Sequence, residues 1–342
     1  MESGTIRISL NCKGFLLGSE FLKLNTPSFS DQENIMKNQA QPRDFRGYGD
    51  KQPKANWPNN ARVAVSIVVN IEEGAELSLN AGDERNENMY EAGISGDIVD
   101  IPDLCMESHY EYGTRAGYWR IATLLDQIGV PATMSCCGRA LEVSPWLAKD
   151  MVKRGYEISA HSYRWEPHAH MDEDHERQII RKCVDSIRSA SGVRPIGWHT
   201  KSQASMNTRR LLVQEGGFLY DSNAYNDDLP YIVSISGRSH VVLPYAFDTN
   251  DMRFEPGSGF VFANDFSHYC IDAFDQLWHE GAETPKMMSV GLHLRIIGRP
   301  ARIAGLEKLL THMKNKGGVW FARREQIARH WRELNGLSPW PD

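Results

Sequence analysis

The stretch EISAHSYRWEPHAH, residues 157–170, brings His161, His168 and His170 within ten positions of one another at the end of an apolar run. Imidazoles clustered in this way serve either as ligands of a divalent metal or as acid and base in a hydrolytic reaction. Which of the two applies depends on what other strand ends deliver to the same place. Asn70, Glu72 and Glu73 close one β-branched run, and Trp198 and His199 close another. Asp221 and Asn223 end a third, and His293, with Arg295 beyond it, ends a fourth. Taken singly, a strand-end histidine is more often a structural hydrogen-bonding group, and Glu72 or Glu73 could simply cap a turn. Several such residues at one edge point instead to an active site in which one group takes a proton from water and another gives one to a leaving group. No GxSxG nucleophile turn occurs, so direct attack by water is the simplest chemistry.

A regular alternation of strands and helices, starting at Arg62, must position these groups. RVAVSIVVN (62–70) is a continuous β-branched run of the kind buried on both faces of a sheet. PATMSCC, YEISAH, RPIGWHT, FLYDSN, KMMSVGLHL and VWFAR read as further strands. Between them, Ile121, Leu124, Leu125 and Ile128 fall at helical spacing. SPWLAKDMVKRG carries Ser144 as N-cap, Pro145 at the first helical position and Gly155 past the end. More helices are predicted over 172–190, in NTRRLLVQEGG, around 265–280, over 301–316 and in EQIARHW, whereas HVVLPYAFDTNDMRF has no clear period. About seven βα units without a break in composition predict one domain with a parallel sheet, barrel-like or doubly wound, and ligands at the C-terminal strand ends. No GxGxxG follows the first strand, which counts against dinucleotide binding.

Composition narrows the classes of partner. A formal net charge of -6 over 342 residues, with no basic cluster, argues against nucleic acid and anionic membranes. No apolar run approaches a membrane span, and GFLLGSEFL near the N-terminus lacks the flanks of a secretion signal. The cysteines form no CxxC pair, and Cys136 and Cys137 sit in an apolar run, so buried thiols in a reducing cytoplasm are expected. Residues 1–35 have mixed polarity and no period, and Met36 opens a more natural beginning. The expectation is a poorly ordered extension or mis-assigned start over 1–35 and a single catalytic domain over 36–342.

The strand-end residues resemble those of the polysaccharide deacetylase (NodB-homology) superfamily, and within it are most similar to the allantoinases of that kind. The resemblance spans roughly 40–332 and rests on long runs, among them WPNNARVAVSIVVNIEEGAE, MESHYEYGTRAGYWRI, GYEISAHSYRW, NTRRLLVQEGGFLYDSNAYNDDLPY and TPKMMSVGLHLRIIGRPAR. It implies an α/β fold, a distorted (β/α)7-type barrel with a site at its mouth. In the deacetylases the first motif supplies two aspartates; the matching positions here read Asn70 and Glu72, with Glu73 adjacent. A second motif supplies two metal-binding histidines four residues apart; His161 is kept, but Trp165 stands at the second position. The leucine and catalytic histidine of a later motif are retained as Leu292 and His293. A catalytic divalent site needs three protein ligands and an open position, and Glu72 with His161 supplies two. His168 and His170 lie beyond Pro167 without the four-residue spacing. No cofactor is therefore expected, with zinc or another divalent ion on Glu72 and His161 as the alternative.

The resemblance implies hydrolysis of a non-peptide C–N bond in a cyclic amide or ureide, with allantoin to allantoate, a step of ureide breakdown, as the first candidate. Glu72 or Glu73 would activate water and His293 would protonate the departing nitrogen. His161 and a backbone N–H near Trp198 or His199 would hold the carbonyl oxygen. Asp227, Asp228, Arg115 and Arg299 are candidates to orient the histidine or grip a planar ureide. Trp165, Trp198 and Tyr225 are candidates to stack on a flat ring. WHTKSQAS, with His199, Lys201 and Gln203, and the amide Asn223 depart from what that branch leads one to expect, which leaves room for a cyclic imide or hydantoin. The rival readings are a metal-dependent polysaccharide or peptidoglycan de-N-acetylase and a catalytically inactive binding homologue. A small-molecule substrate and a homo-oligomer, dimer or tetramer, are the expected partners.

Overall fold

The computed structural model describes residues 43–89 and 100–341; the expectation for residues 1–35 falls outside them. The strands are β1 (Val63–Ile71), β2 (Ala132–Cys136), β3 (Glu157–Ala160), β4 (Gly197–Trp198), β5 (Tyr220–Asp221), β6 (Tyr231–Ile235), β7 (Arg238–Val242), β8 (Lys286–His293) and β9 (Val319–Phe321). The helices are α1 (Leu104–Tyr112), α2 (Tyr118–Ile128), α3 (Gly138–Val143), α4 (Pro145–Lys153), α5 (Glu173–Ser191), α6 (Thr208–Glu215), α7 (Ala263–Glu280), α8 (Pro300–Lys316) and α9 (Arg324–Leu334). Every residue of β1 and β8 is buried, as their uninterrupted apolar character requires. The two lie side by side in parallel from Val63 opposite Lys286 to Asn70 opposite His293. That register sets the amide of Asn70 beside the imidazole of His293.

The sheet runs β6-β7-β5-β4-β3-β2-β1-β8, with β9 against the first residues of β1 below β2. All pairings are parallel except β6 with β7. The sheet curls into a half-barrel rather than an open doubly wound sheet, as one side chain shows. Arg324, at the start of α9, reaches across the interior to Ser66 of β1 (3.1 Å), Ser289 of β8 (2.7 Å), Ser222 after β5 (3.1 Å) and the Leu243 carbonyl (2.5 Å). Along the free edge of β8 the segment after β7 takes the place of a strand, with Gly291 N–H donating to the Thr249 carbonyl at 3.0 Å. This closes the gap towards β5.

Most predicted and observed helices agree to within a residue or two at their ends, where frayed turns make boundaries soft, but α9 runs three residues past EQIARHW and the short α3 was not expected. Asp172 caps α5 through the His175 N–H. Ser144 stands at the N-cap of α4 but makes no side-chain capping bond. The strands expected in RPIGWHT and FLYDSN shrink to two residues each, and between them Tyr220 crosses against the bare backbone of Gly197, where a Cβ would overlap its ring. The β6–β7 hairpin, turning at Ser236 (φ +51°) and Gly237 (φ +79°), was not expected; its strands are only partly buried and lack the apolar run that marks the others. A further helix, α1, which the sequence reading did not predict, is capped by Asp103 on the Cys105 and Met106 N–H groups. It joins α2 through a π-helical turn, Gly113–Gly117, whose two glycines let the backbone sit against the Glu73 carboxyl and the Leu294 carbonyl. Cys136 and Cys137 are buried free thiols. No helix among the described residues is long and apolar enough to cross a membrane.

Candidate active site

Glu72, one residue past β1, is the hub of the strand ends. Its Oε2 receives Arg295 Nη1 at 2.7 Å. Its Oε1 lies 3.3 Å from His161 Nε2 and 3.4 Å from His293 Nε2, without the alignment of a hydrogen bond to either. Burial pushes the Glu72 carboxyl up, but His293 and Arg295 outweigh it and hold the group well below the usual carboxylate range. Glu73 is the opposite case. Burial dominates there, only partly offset by Arg295 at 3.8 Å and reinforced by Glu72, and its carboxyl is raised to about 7. Its Oε2 accepts the Glu72 N–H at 3.1 Å, and the side chain lines a cavity with Glu76, Ser78, Glu107 and Arg139 instead of joining the imidazoles.

His293 ends β8 and is held by Asp251, which opens a 3-10 turn (Asp251–Phe254) behind it. One carboxylate oxygen accepts His293 Nδ1–H at 2.6 Å; the other accepts the backbone N–H groups of His293 (2.8 Å) and Ile297 (3.0 Å). Burial disfavours charge on this imidazole, but Glu72 and Asp251 prevail and push it up to about 10. At neutral pH it is an imidazolium with Nε2–H turned to the site.

His161 follows β3. Its Nδ1 donates to the His199 carbonyl at 2.9 Å, so in neutral form its lone pair is on Nε2, beside Glu72. The next residue, Ser162, has φ +66°, a left-handed conformation uncommon for a side-chain-bearing residue. It is stabilised because the Ser162 and Tyr163 carbonyls accept the first N–H groups of α3, from Gly138 (2.9 Å) and Arg139 (2.9 Å). The turn carries Trp165 under two cations. Lys201 Nζ sits 3.4 Å and the Arg295 guanidinium carbon 5.1 Å from the indole ring centroid. Lys201 also lies 3.4 Å from buried Glu87, and burial lowers its pKa.

Beyond the charged groups the wall is neutral. Asn70 Nδ2 donates to the Leu292 carbonyl (3.2 Å) and to Tyr245 Oη (3.0 Å), and lies 3.3 Å from His293 Nε2. The His199 ring is parallel to that of His161 at 4.9 Å and packs on Tyr245 at 4.4 Å. Asn223 accepts the Thr200 N–H at 2.8 Å.

The strand-end reading thus brings together Asn70, Glu72, His161, His199 and His293, with Trp165 alongside, while Glu73 turns away from the imidazoles. Other expected residues fall elsewhere. Arg115 is 78% exposed and paired with Glu111 one helical turn back. Arg299 stacks on Tyr112 and meets His109 and the Arg295 carbonyl at the start of α8, a shell away from Glu72. Asp227 and Asp228 line a separate cavity of ≈ 280 Å³ with Asp248, Glu280 and Met287, at the start of β8 and not its end. The carboxylate that orients the histidine is instead Asp251. Trp198 is core, fully buried with its indole N–H on Thr200. Tyr225 is partly exposed against Phe247. The His199 N–H is already given to the Ala160 carbonyl and cannot serve a substrate oxygen. His170 is exposed, and His168 is buried between Ser162 and Glu176. Asp251 and the central role of Arg295 escaped the sequence reading: Asp251 lies in an aperiodic stretch 42 residues before its histidine.

The deacetylase fold implies a divalent metal, and the donors present do not fit one. Among the described residues no group of three or more His, Cys, Asp or Glu could hold a metal ion. The second oxygen of Glu72 is occupied by a guanidinium, and Trp165 brings two cations where a third ligand would be needed.

Comparison with known proteins agrees with this architecture. A family model described as polysaccharide deacetylase matches residues 102–216. A Schizosaccharomyces pombe protein carrying a polysaccharide deacetylase name is 40% identical over 309 residues, covering 84% of this chain and 96% of its own. Two solved structures superpose with a TM-score of 0.82 at 44% identity over 85% of this chain: a probable polysaccharide deacetylase from Pseudomonas aeruginosa PAO1, 98% covered, and PuuE allantoinase, 97% covered. The fold, the strand-end residues and these likenesses together establish that the chain belongs to the polysaccharide deacetylase family, within the NodB-homology superfamily, and is of the hydrolase kind.

Proposed function

We propose that the chain opens a cyclic amide or ureide by hydrolysis of its C–N bond without a bound metal, with allantoin to allantoate as the first reaction to test. The observation that carries this reading is the single free oxygen of Glu72, between the Nε2 atoms of His161 and His293, with the other oxygen neutralised by buried Arg295. The positive charge a metal would supply is then part of the protein. Likeness to PuuE allantoinase across most of both chains supports the substrate class.

In this scheme Glu72 Oε1 aligns the attacking water. A carboxylate held so far below its usual range is a weak base, and the lone pair of His161 Nε2 stands beside it to take the proton. Water oxygen bonds to the ring carbonyl carbon, and the C–N bond breaks as His293 Nε2 gives its proton to the nitrogen. The products are a carboxylic acid, which releases its proton to solvent, and an open N–H end. Proton transfer from His161 through solvent then restores His293.

The test is a hydrolysis screen of the purified protein on allantoin, hydantoins, succinimide-type rings and N-acetylated sugar oligomers, with and without chelator. Ring opening indifferent to chelator is expected. Turnover of acetylated sugars alone, abolished by chelator and restored by zinc, would overturn the proposal in favour of a metal-dependent deacetylase.

A further inference from the structure

Four buried polar atoms along the neutral wall have no hydrogen-bond partner among the described residues: Asn70 Oδ1, Asn223 Nδ2 and both ring nitrogens of His199. Native interiors rarely leave such atoms unpaired, and a run of them along one wall marks a place a ligand completes. They are connected through direct contacts, Asn70 to Tyr245 Oη, Tyr245 to the His199 ring, and the residue after His199 to Asn223.

Their hydrogen-bonding sense is fixed by the protein. Asn70 must turn its NH2 to the Leu292 carbonyl, which leaves Oδ1 as a free acceptor. Asn223 must turn its oxygen to the Thr200 N–H, which leaves Nδ2 as a free donor. His199 is 7% exposed, and burial, then His161 and the Arg324 guanidinium, hold it well below the ordinary imidazole value. It is neutral and offers one donor and one acceptor. None of the three carries charge.

We infer that Asn70, His199 and Asn223 form an edge-reading set that takes the alternating N–H and C=O edge of a neutral cyclic imide or ureide. The N–H of the ring is met by Asn70 Oδ1 or the acceptor nitrogen of His199, and its carbonyls by Asn223 Nδ2 and the imidazole N–H. Ring closure holds an amide cis, so that its N–H and C=O point to the same side; an acyclic acetamido group is trans and points them apart. The set therefore favours a ring over an N-acetyl sugar. The inference deepens the proposed ring hydrolysis and rests on it for the substrate, but concerns binding and is tested apart from turnover.

The test measures Kd by calorimetry, and KM and kcat, for hydantoin, succinimide and N-methylsuccinimide on wild type, His199→Phe, His199→Gln and Asn223→Asp. His199→Phe keeps the ring shape and removes both nitrogens; Asn223→Asp keeps the contact to Thr200 and turns the free donor into an acceptor. Both variants are expected to weaken hydantoin and succinimide about tenfold or more in Kd and KM, with kcat moving less. N-methylsuccinimide, lacking the N–H, should bind wild type weakly and be little affected by His199→Phe. His199→Gln, which restores a donor and an acceptor, should recover most of the affinity. Equal loss for methylated and unmethylated rings, no loss in either variant, or no binding of any neutral ring by wild type overturns the edge set. Ring binding with the expected pattern, but turnover only of acetylated sugars, would sink ring hydrolysis and leave the edge set standing. Should His199→Phe fail to fold, Asn223→Asp carries the same comparison.

Discussion

His293 and His168 each give Nδ1 to a buried carboxylate, Asp251 at 2.6 Å and Glu176 at 2.9 Å. They differ at the other nitrogen. His168 Nε2 meets Ser162 Oγ at 2.7 Å, completing the Ser–His–carboxylate connectivity of a hydrolytic triad, with the serine at a left-handed backbone position. Yet all three residues are fully buried, and Glu176 also accepts the Ser205 and Thr208 hydroxyls at 2.5 Å each. Every valence is spent inside the protein, and the group ties α5 and α6 to the turn that aims His161. His293 Nε2 instead faces a Glu72 oxygen that no protein donor satisfies. An imidazole–carboxylate pair is thus as much a scaffold as a catalyst, and the atom left without a partner at the strand ends distinguishes them.

The largest expected effect is on the open pair. Glu72→Gln removes the charge that aligns water and holds the imidazolium, and kcat/KM of the folded enzyme should fall by about 10³-fold or more. A loss below about tenfold in steady-state assays would place the chemistry elsewhere. Asp251→Asn should lower kcat by about 10²-fold and also change the pH profile. The wild-type acid is lost as pH rises through about 10. Without the Asp251 charge the imidazolium is less stabilised, so the alkaline limb must move to lower pH. An unmoved limb would mean that His293 is not the titrating acid.

The closed pair should show the reverse signature. Glu176→Gln is expected to lose about 3 kcal/mol in denaturant unfolding, as for one partner removed from a buried pair, with kcat of the folded enzyme within about threefold. Burial raises the Glu176 carboxyl, but the bonds from His168, Ser205 and Thr208 prevail and hold it below its ordinary value. Its contribution is therefore present above the unfolded carboxyl pKa and lost as pH falls through the folded one, and the variant should lose less stability on acidification than wild type. Ser162→Ala, the smallest change, should lose about 1 kcal/mol with kcat unaltered. Covalent labelling of Ser162 by an organophosphate, read by mass spectrometry, would make the closed triad a second nucleophile and break the comparison.

Much of the site was legible because its framework is local. The unbroken apolar runs of β1 and β8 and the caps and periods of the helices are properties of neighbouring residues, and strand ends in a parallel sheet share one edge by construction. Asn70, Glu72, His161, His199 and His293 could therefore be named from the sequence. Asp227, Asp228, Arg115 and Arg299 were chosen by residue type alone, and charge without position does not say which end of a strand or which face of a helix a side chain occupies.

The sequence by itself determined the parallel α/β order, the strand-end residues and the family to which the chain belongs. Only the tertiary structure decided that Asp251 and not Asp227 or Asp228 holds His293, that Arg295 neutralises Glu72, that His168 is sealed away, and that the neutral wall keeps four atoms unpaired. The physical reason is distance along the chain. Arg295 and Glu72 are 223 residues apart, and whether two such groups meet depends on how far the sheet curls and how its edge closes. No local propensity encodes that closure.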